Sequence, residues 1–492
     1  MPLIPLDIPP GVYANGTDYQ GSGRWRDANL VRWHEGALRP VKGWRQRGDV
    51  DISGVVRTMK SWGDESGNRR VAFGTHEKLF AMTSGNIVSD ITPTGFTAGN
   101  VDAQINVGFG DGSYGVEEYG LPRSDTGNIS FATTWALDNW GEYLVGCTAD
   151  DGKLYEWQLD SATPAQQLAN SPVDCTSLLV TEERFIFALG AGGDPRTIAW
   201  CDREDNTTWT PAATNEAGDI RLQTDGEIVA GVRTRGQSLI LTTQDAHVAS
   251  YQGPPFVYGF ERVGTSCGLA AANALVSIDA GAFWMGRRSF FVYSGGAVQE
   301  LPCEVSDYVF SDMNFIQQSK VHAVVNSRWS EIWWFYPSNA STECDSYVVY
   351  DYAQNVWAFG RLARTAGIDS VVFRSPLWIA PDGVLYEHEV GFNHHGETVY
   401  AETGPISIGS GDNIMSVNRL IPDEKNLGDV SATFKTRFYP TAEERSYGPY
   451  TMSNPTSVRF SGRQVRMRVD GVENVGWRVG TMRINANTRG LR

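Results

Sequence analysis

The feature that most constrains this chain is a strand–turn–strand unit that returns along its length. Each copy is a strand, a tight polar turn, and a second strand opening with an apolar–aromatic pair. LVGCTADDGKLYEWQ (144–158) aligns with LWIAPDGVLYEHE (377–389). VAFGTHEKLFAMTSGNIVSDITP (71–93) carries the same turn, and its tail matches FFVYSGGAVQELP (290–302). Weaker copies cover 188–202, 239–253 and 343–360. Anchored on Leu79, Leu154, Ile198, Val248, Phe291, Val348 and Leu385, the copies are spaced 75, 44, 50, 43, 57 and 37 residues apart. Most of these gaps lie near the ~40–50 residues of a four-stranded propeller blade. A lone blade leaves both faces wet, whereas radial stacking buries the faces and hides the strand edges.

The expected fold is all-β: a β-propeller of six or seven four-stranded blades with an additional C-terminal β region. An irregular array of sandwiches is the alternative. The 75-residue gap holds either two small blades or one blade with an insertion at about 93–130. Residues 55–400 then form the propeller. Residues 1–54 form an N-terminal arm, and 401–492 an Arg-rich docking or closure element. Because propellers often join their first and last strands in one blade, GRWRDANLVRW (23–33) is expected to pair with late-chain strands. Trp25, Leu30, Arg32 and Trp33 are its candidate closure residues.

Composition supports a turn-rich β protein. Glycine is 53 of 492 residues, aromatics make up 11% and charged residues only 20%, which argues against disorder. The opening MPLIPLDIPPGVY has four prolines and no basic flank, so it does not read as a signal peptide. No apolar run approaches the ~18 residues of a membrane span. Cys147, Cys175, Cys201, Cys267, Cys303 and Cys344 form no CxxC pair and read as free, mostly buried thiols of a reducing compartment.

Charge is distributed unevenly. The chain carries a formal −16, but residues 1–60 are net +3 and residues 451–492 net +6. The body between them holds 24 basic and 49 acidic residues, net −25. VRFSGRQVRMRV and WRVGTMRI alternate arginine with apolar residues, which puts the arginines of a strand on one face. Arg459, Arg463, Arg466, Arg468, Arg478 and Arg483 are therefore either a docking surface or a solvated strand face.

Enzymatic signatures are sparse. No HGGG-type oxyanion sequence and no GxxxxGK[ST] phosphate loop occur, and no serine-nucleophile motif is expected. His394 and His395 are adjacent, so on a strand they point to opposite faces and cannot chelate one ion together. CDREDNTTW (201–209) departs from the sialidase Asp-box by its spacing and by lacking the glycine. The cluster Trp333–Tyr336 reads as core packing between blades. No catalytic residue, metal site or cofactor is expected.

Three parts of the chain resemble a known family. GVYANGTDYQGSGRWRDANLVRWHEGALRPVKGWRQ (11–46) looks like the opening of tail proteins of short-tailed bacteriophages. RFIFALGAGGDPRTIAWCDREDNTTWTPAATNEAGDIRL (184–222), followed by YQGPPFVYGFERVGTSCGLAAANALV (251–276), resembles the family's middle. VRFSGRQVRMRVDGVENVGWRVGTMRI (458–484) resembles its end. The family is the tail nozzle, also called packaged-DNA stabilisation protein or tail tubular protein B. The resemblance implies a virion structural protein of the tail, assembled in the host cytoplasm, and not an enzyme. It implies a homohexameric ring that binds a head-to-tail adaptor above and a tail needle, fibre or plug below. Double-stranded DNA would pass through the lumen without sequence-specific contacts, and the acidic body would let it slide. The basic ends would dock on an acidic adaptor surface. A carbohydrate- or receptor-binding propeller is the alternative function, and a hydrolase on a propeller a third.

Overall fold

The computed structural model describes residues 3–48, 52–83, 85–105, 129–407, 413–439 and 442–489. Seven four-stranded antiparallel sheets follow one another and close into a ring. Blade one comprises Thr58–Gly63, Arg69–Gly74, Leu79–Thr83 and Val88–Asp90. Blades two to six occupy 135–167, 177–221, 228–265, 275–301 and 322–361. Blade seven takes Ala366–Ile368, Leu377–Ile379 and Leu385–His388, and its outer strand is Trp44–Gln46 from the N-terminal region. The protein is a seven-bladed β-propeller. All seven repeat anchors fall in the third strand of a blade, one per blade. The long first gap therefore holds one blade and an insertion.

The blades stack because their strands are apolar on both faces. Glu331–Tyr336 is buried at all six positions. Trp333 packs toward blade seven, its ring 5.4 Å from Trp378, while Trp334 faces blade five with Phe290 at 5.0 Å. Neighbouring blades thus cover what a single sheet would expose, as expected for this cluster. The innermost strands leave an axial cavity of about 210 Å³. Thr58, Ala136, Ser177, Gly231, Leu275, Ala323 and Gly367, one from each blade, line it.

A β-sandwich stands beside blades six and seven. One of its sheets pairs Leu3–Leu6, Met482–Arg489, Ile414–Ile421 and Thr456–Gly462 in that order. The other runs Trp25–Asn29, Tyr400–Thr403, Gln464–Gly471, Val430–Arg437 and Arg445–Thr451, with Ile406–Ser407 also on Gln464–Gly471. Phe434 and Phe460 stack at 4.6 Å between the two sheets, and Val417, Leu420, Met467 and Val469 are buried around them.

The segment between blades one and two lies on the face that carries the blade-to-blade loops. Its two ends pair as Gln104–Ile105 with Ile129–Ser130. The rest of the expected insertion, 106–128, lies outside the described residues. Its base docks beside blade six. The Gln317 side chain donates to the Ala103 carbonyl at 3.0 Å and accepts from the Ala103 N–H at 2.9 Å. Beneath, buried Lys320 bonds Asp102 and Glu343, and Glu343 also takes Arg57 at 2.8 Å. Lys320 and Arg57, both buried, thus each have a carboxylate partner, as low-dielectric burial favours.

Candidate functional site: the N-terminal clasp and the arginine strands

Residues 3–46 stitch the two bodies together. Leu3–Leu6 adds an edge strand to one sandwich sheet, and Trp25–Asn29 adds one to the other, through Tyr400–Thr403. Val31–His34 then forms a hairpin with Ala37–Pro40, and Trp44–Gln46 completes blade seven. The strand that closes the propeller is therefore Trp44–Gln46. Trp25 lies in the sandwich, opposite Thr403, with its ring 6.2 Å from that of Trp33. Leu30 occupies the left-handed region at φ 53°, and its N–H donates to the Tyr347 hydroxyl at 2.7 Å. The 23–33 run does pair with a late-chain strand, Tyr400–Thr403, but in the sandwich and not in the last blade. The closing strand has three residues, too short to stand out by periodicity.

Trp44 is held by a ring of polar aromatics. His388 stacks on it at 5.2 Å and His395 at 6.1 Å, and His394 meets it edge-on at 5.4 Å. The guanidinium of Arg364 lies 5.1 Å from its ring. His394 Nε2 is 2.8 Å from the Val41 carbonyl, and His395 Nε2 is 3.0 Å from that of Trp44. The adjacent histidines thus serve the closing strand. Burial and neighbouring Arg364 press the His388 imidazole well below its usual range, so it stays neutral. Gly43 permits the approach: a β-carbon there would sit 2.3 Å from the Asn393 carbonyl oxygen.

Arg32 is the centre of the clasp. It is 5% exposed. Nη2 and Nη1 donate to the two oxygens of Glu389 at 2.6 and 3.1 Å, and Nε lies 2.8 Å from Glu331. Trp329 and Asn326 also donate to Glu389, at 2.9 and 3.0 Å, and Trp333 donates to Glu331 at 3.0 Å. One arginine between two buried carboxylates cannot neutralise both. Burial, opposed in part by Arg32, pushes the Glu331 carboxyl up to about 7, with Glu389 adding repulsion. Glu389 is lowered: burial works against this, and Arg32 with the surrounding donors outweighs it.

The six candidate docking arginines do not share one surface. Arg466 and Arg468 lie on the outer side of the sheet that contains Gln464–Gly471, and both are engaged. Arg466 contacts Asp18 at 3.0 Å and Glu444 at 3.2 Å. Arg468 contacts Asp470 at 2.9 Å and lies 3.6 Å from the Tyr400 ring centroid. Arg463 sits over Tyr439 at 5.1 Å. Arg459 and Arg483 are exposed on the outer side of the opposite sheet, and exposed Arg478 is in the loop leading to Val479. The strand alternation is visible in Thr456–Gly462 and Gln464–Gly471, but consecutive strands belong to opposite sheets.

Among the described residues, no three His, Cys, Asp or Glu side chains are placed to hold a metal ion. Among the same residues, no helix is long and apolar enough to cross a membrane. All six cysteines are free, and all but Cys303 are buried. One motif expectation needs correction: Gly264–Gly268 reads G-T-S-C-G, a G-x-S-x-G pattern. Ser266 is exposed and sits at φ 56°. It follows the outer strand of blade four and leads to another strand, Leu275–Ile278, so the strand–turn–helix context of a hydrolase elbow is missing.

No family model and no curated protein sequence matches this chain. Solved propellers are similar in shape. Virginiamycin B lyase from Staphylococcus aureus aligns with a TM-score of 0.44 at 6% identity, covering 70% of this chain and 98% of that one. A streptogramin B lyase gives 0.42 at 10% identity, covering 70% and 95%. The N-terminal domain of Nup159 gives 0.37 at 10% identity, covering 74% and 98%. None of these likenesses carries an activity over to this chain.

Proposed function

We propose that the chain is a virion structural protein, the subunit of a homohexameric nozzle at the end of a short phage tail, and not an enzyme. The observation that carries this reading is the resemblance at 11–46, 184–222, 251–276 and 458–484. Two of those stretches, distant in sequence, meet in the clasp: Leu38 bridges Val479, and Trp25–Asn29 shares a sheet with Gln464–Gly471. A subunit under pressure from packaged DNA needs its two bodies fixed to each other, and five N-terminal strands fix them.

A surface suited to self-assembly lies on the insertion face. Val101, Ile105, Ile129, Phe131, Phe315 and Ile316 are all exposed around the docked insertion base. An apolar cluster of this kind on a charged protein is normally covered by a partner, here a second copy of the chain. The axial cavity, at about 210 Å³, is smaller than an ordinary ligand pocket. DNA would therefore run between subunits, past the acidic body, with an adaptor above and a needle, fibre or plug below. The exposed Arg459 and Arg483 face is the part of the basic C-terminal region free to meet an acidic adaptor.

Negative-stain imaging of the purified chain with its adaptor tests the reading. The expected particle is a six-fold ring about 100 Å or more across, the size that six 54.1 kDa bodies need around a lumen. A chain that stays monomeric and leaves adaptor-filled heads bare would overturn it. A second reading, a carbohydrate- or receptor-binding propeller, draws on two polar pockets over blades three to five.

A further inference from the structure

Blades three, four and five carry arginines where their loops meet on the insertion face. Two pockets of about 400 and 420 Å³ adjoin there and share Gln244 and Ser266 in their walls. The first is lined by Arg196, Arg221 and Arg262, the second by Arg287 and Arg288. Among the described residues, only Arg221 meets a carboxylate within 4 Å, Asp194 at 2.6 Å. The first pocket's own carboxylates are Asp225 and Asp245. Asp245 is buried and accepts hydrogen bonds from the hydroxyls of Thr224 and Thr242. Five arginines have thus gathered on a body whose overall balance is net −25, and among the described residues four of them have no ion-pair partner.

We infer that the two pockets form one binding site for a short anionic saccharide carrying sulfate or phosphate esters. The arginine forks match such oxyanions. The hydroxyls of Thr243, Thr265, Ser266 and Ser289 and the amides of Gln223 and Gln244 suit sugar hydroxyls, and Phe291 offers an apolar wall. Each pocket falls in the size range of small-molecule sites. A long phosphodiester backbone is a poorer fit. It would extend beyond the arginines over acidic surface, whereas a short ligand stays within about one screening length, roughly 8 Å, of them. The site lies apart from the clasp and does not depend on ring assembly, which is scored separately and without saccharide.

Binding of a heparin-derived sulfated tetrasaccharide to the full chain by titration calorimetry is the test. Its fully desulfated counterpart and a 12-base-pair DNA duplex serve as the other arms. Arg262→Ala and Arg288→Ala, one per pocket and both exposed, are each expected to weaken the sulfated ligand at least tenfold. The melting transition should stay unchanged. The desulfated ligand is expected to bind at least tenfold more weakly than the sulfated one. Three results would overturn the proposal: no binding of the sulfated tetrasaccharide, binding that ignores both substitutions, or tighter binding of the duplex at the same arginines.

Discussion

Arg32 holds Glu389 through a two-pronged contact of 2.6 and 3.1 Å across 357 residues of sequence, inside a site only about 5% exposed. The N-terminal hairpin is thereby tied to the blade that the same N-terminal segment goes on to close. Removing one partner of such a pair strands the other charge in a low dielectric, which typically costs about 3–5 kcal/mol. Arg32→Met should therefore lower the unfolding free energy by about that amount in urea titration. Adding Glu331→Gln and Glu389→Gln should recover part of it. A single substitution that leaves the midpoint unmoved would show that the clasp contributes nothing.

Glu331 gives the clasp a pH dependence. Its carboxyl is raised from 4.5 to about 7 in the folded protein. The folded state therefore binds that proton more tightly than the unfolded chain does. The associated stability is complete below about pH 4.5 and is lost as pH rises to about 7. Glu331→Gln keeps the neutral form at every pH. Relative to the parent, the variant should gain stability between pH 5 and pH 8, by up to a few kcal/mol at about 1.4 kcal/mol per pH unit. A difference that is flat across this range would contradict the assignment.

Closure of the ring rests on Trp44. Its indole is buried among His388, His394, His395 and Arg364, and its strand pairs in register with His388, Glu387 and Tyr386. Trp→Ala in a packed site costs about 3–5 kcal/mol. Trp44→Ala should cost that much and should raise hydrogen exchange first in Leu385–His388. Deleting residues 1–35 removes Arg32 and an edge strand from each sandwich sheet, so one broadened, lowered transition is expected. A deletion that melts like the parent would mean that the bodies fold without the clasp.

Much of the propeller was legible because each blade repeats a local pattern. Leu79, Leu154, Ile198, Val248, Phe291, Val348 and Leu385 mark the third strand of every blade, since a buried strand beside a polar turn must be apolar wherever it recurs. The all-buried Trp333–Tyr336 followed from the same logic. The clasp was harder to see. Arg32 reads as one of many basic residues, and nothing local marks Glu331 and Glu389 as its partners. The six arginines alternated as expected, but alternation gives a face and not a sheet. Arg459 and Arg466 sit on consecutive strands, and the chain crosses from one sheet to the other at Gly462–Gln464. The G-T-S-C-G run was in plain view, and its meaning depended on the strand that follows it.

Exposed apolar residues on the insertion face should matter for assembly and not for folding. Phe131 is 59% exposed and Ile316 38%. Charged replacements at exposed positions usually change stability by less than about 0.5 kcal/mol. Phe131→Asp with Ile316→Asp should therefore keep the parent's melting transition and, if the chain forms the proposed ring, move it from ring to monomer in sedimentation. Rings that persist in the double variant would place the subunit interface elsewhere.

The two arginine faces of the sandwich should separate in the same kind of experiment. Arg466 is bound to Asp18 and Glu444, so Arg466→Glu sets like charges together and should loosen the N-terminal arm, lowering the melting temperature. Arg459 and Arg483 are exposed on the other sheet and, among the described residues, meet no carboxylate within 4 Å. Arg459→Glu with Arg483→Glu should leave melting unchanged. If this face docks on an acidic adaptor, the double reversal should slow association and reduce the yield of tailed particles, because charge reversal at a complementary surface acts mainly on the encounter rate. Unchanged yield from a normally folded double variant would remove the docking role from this face.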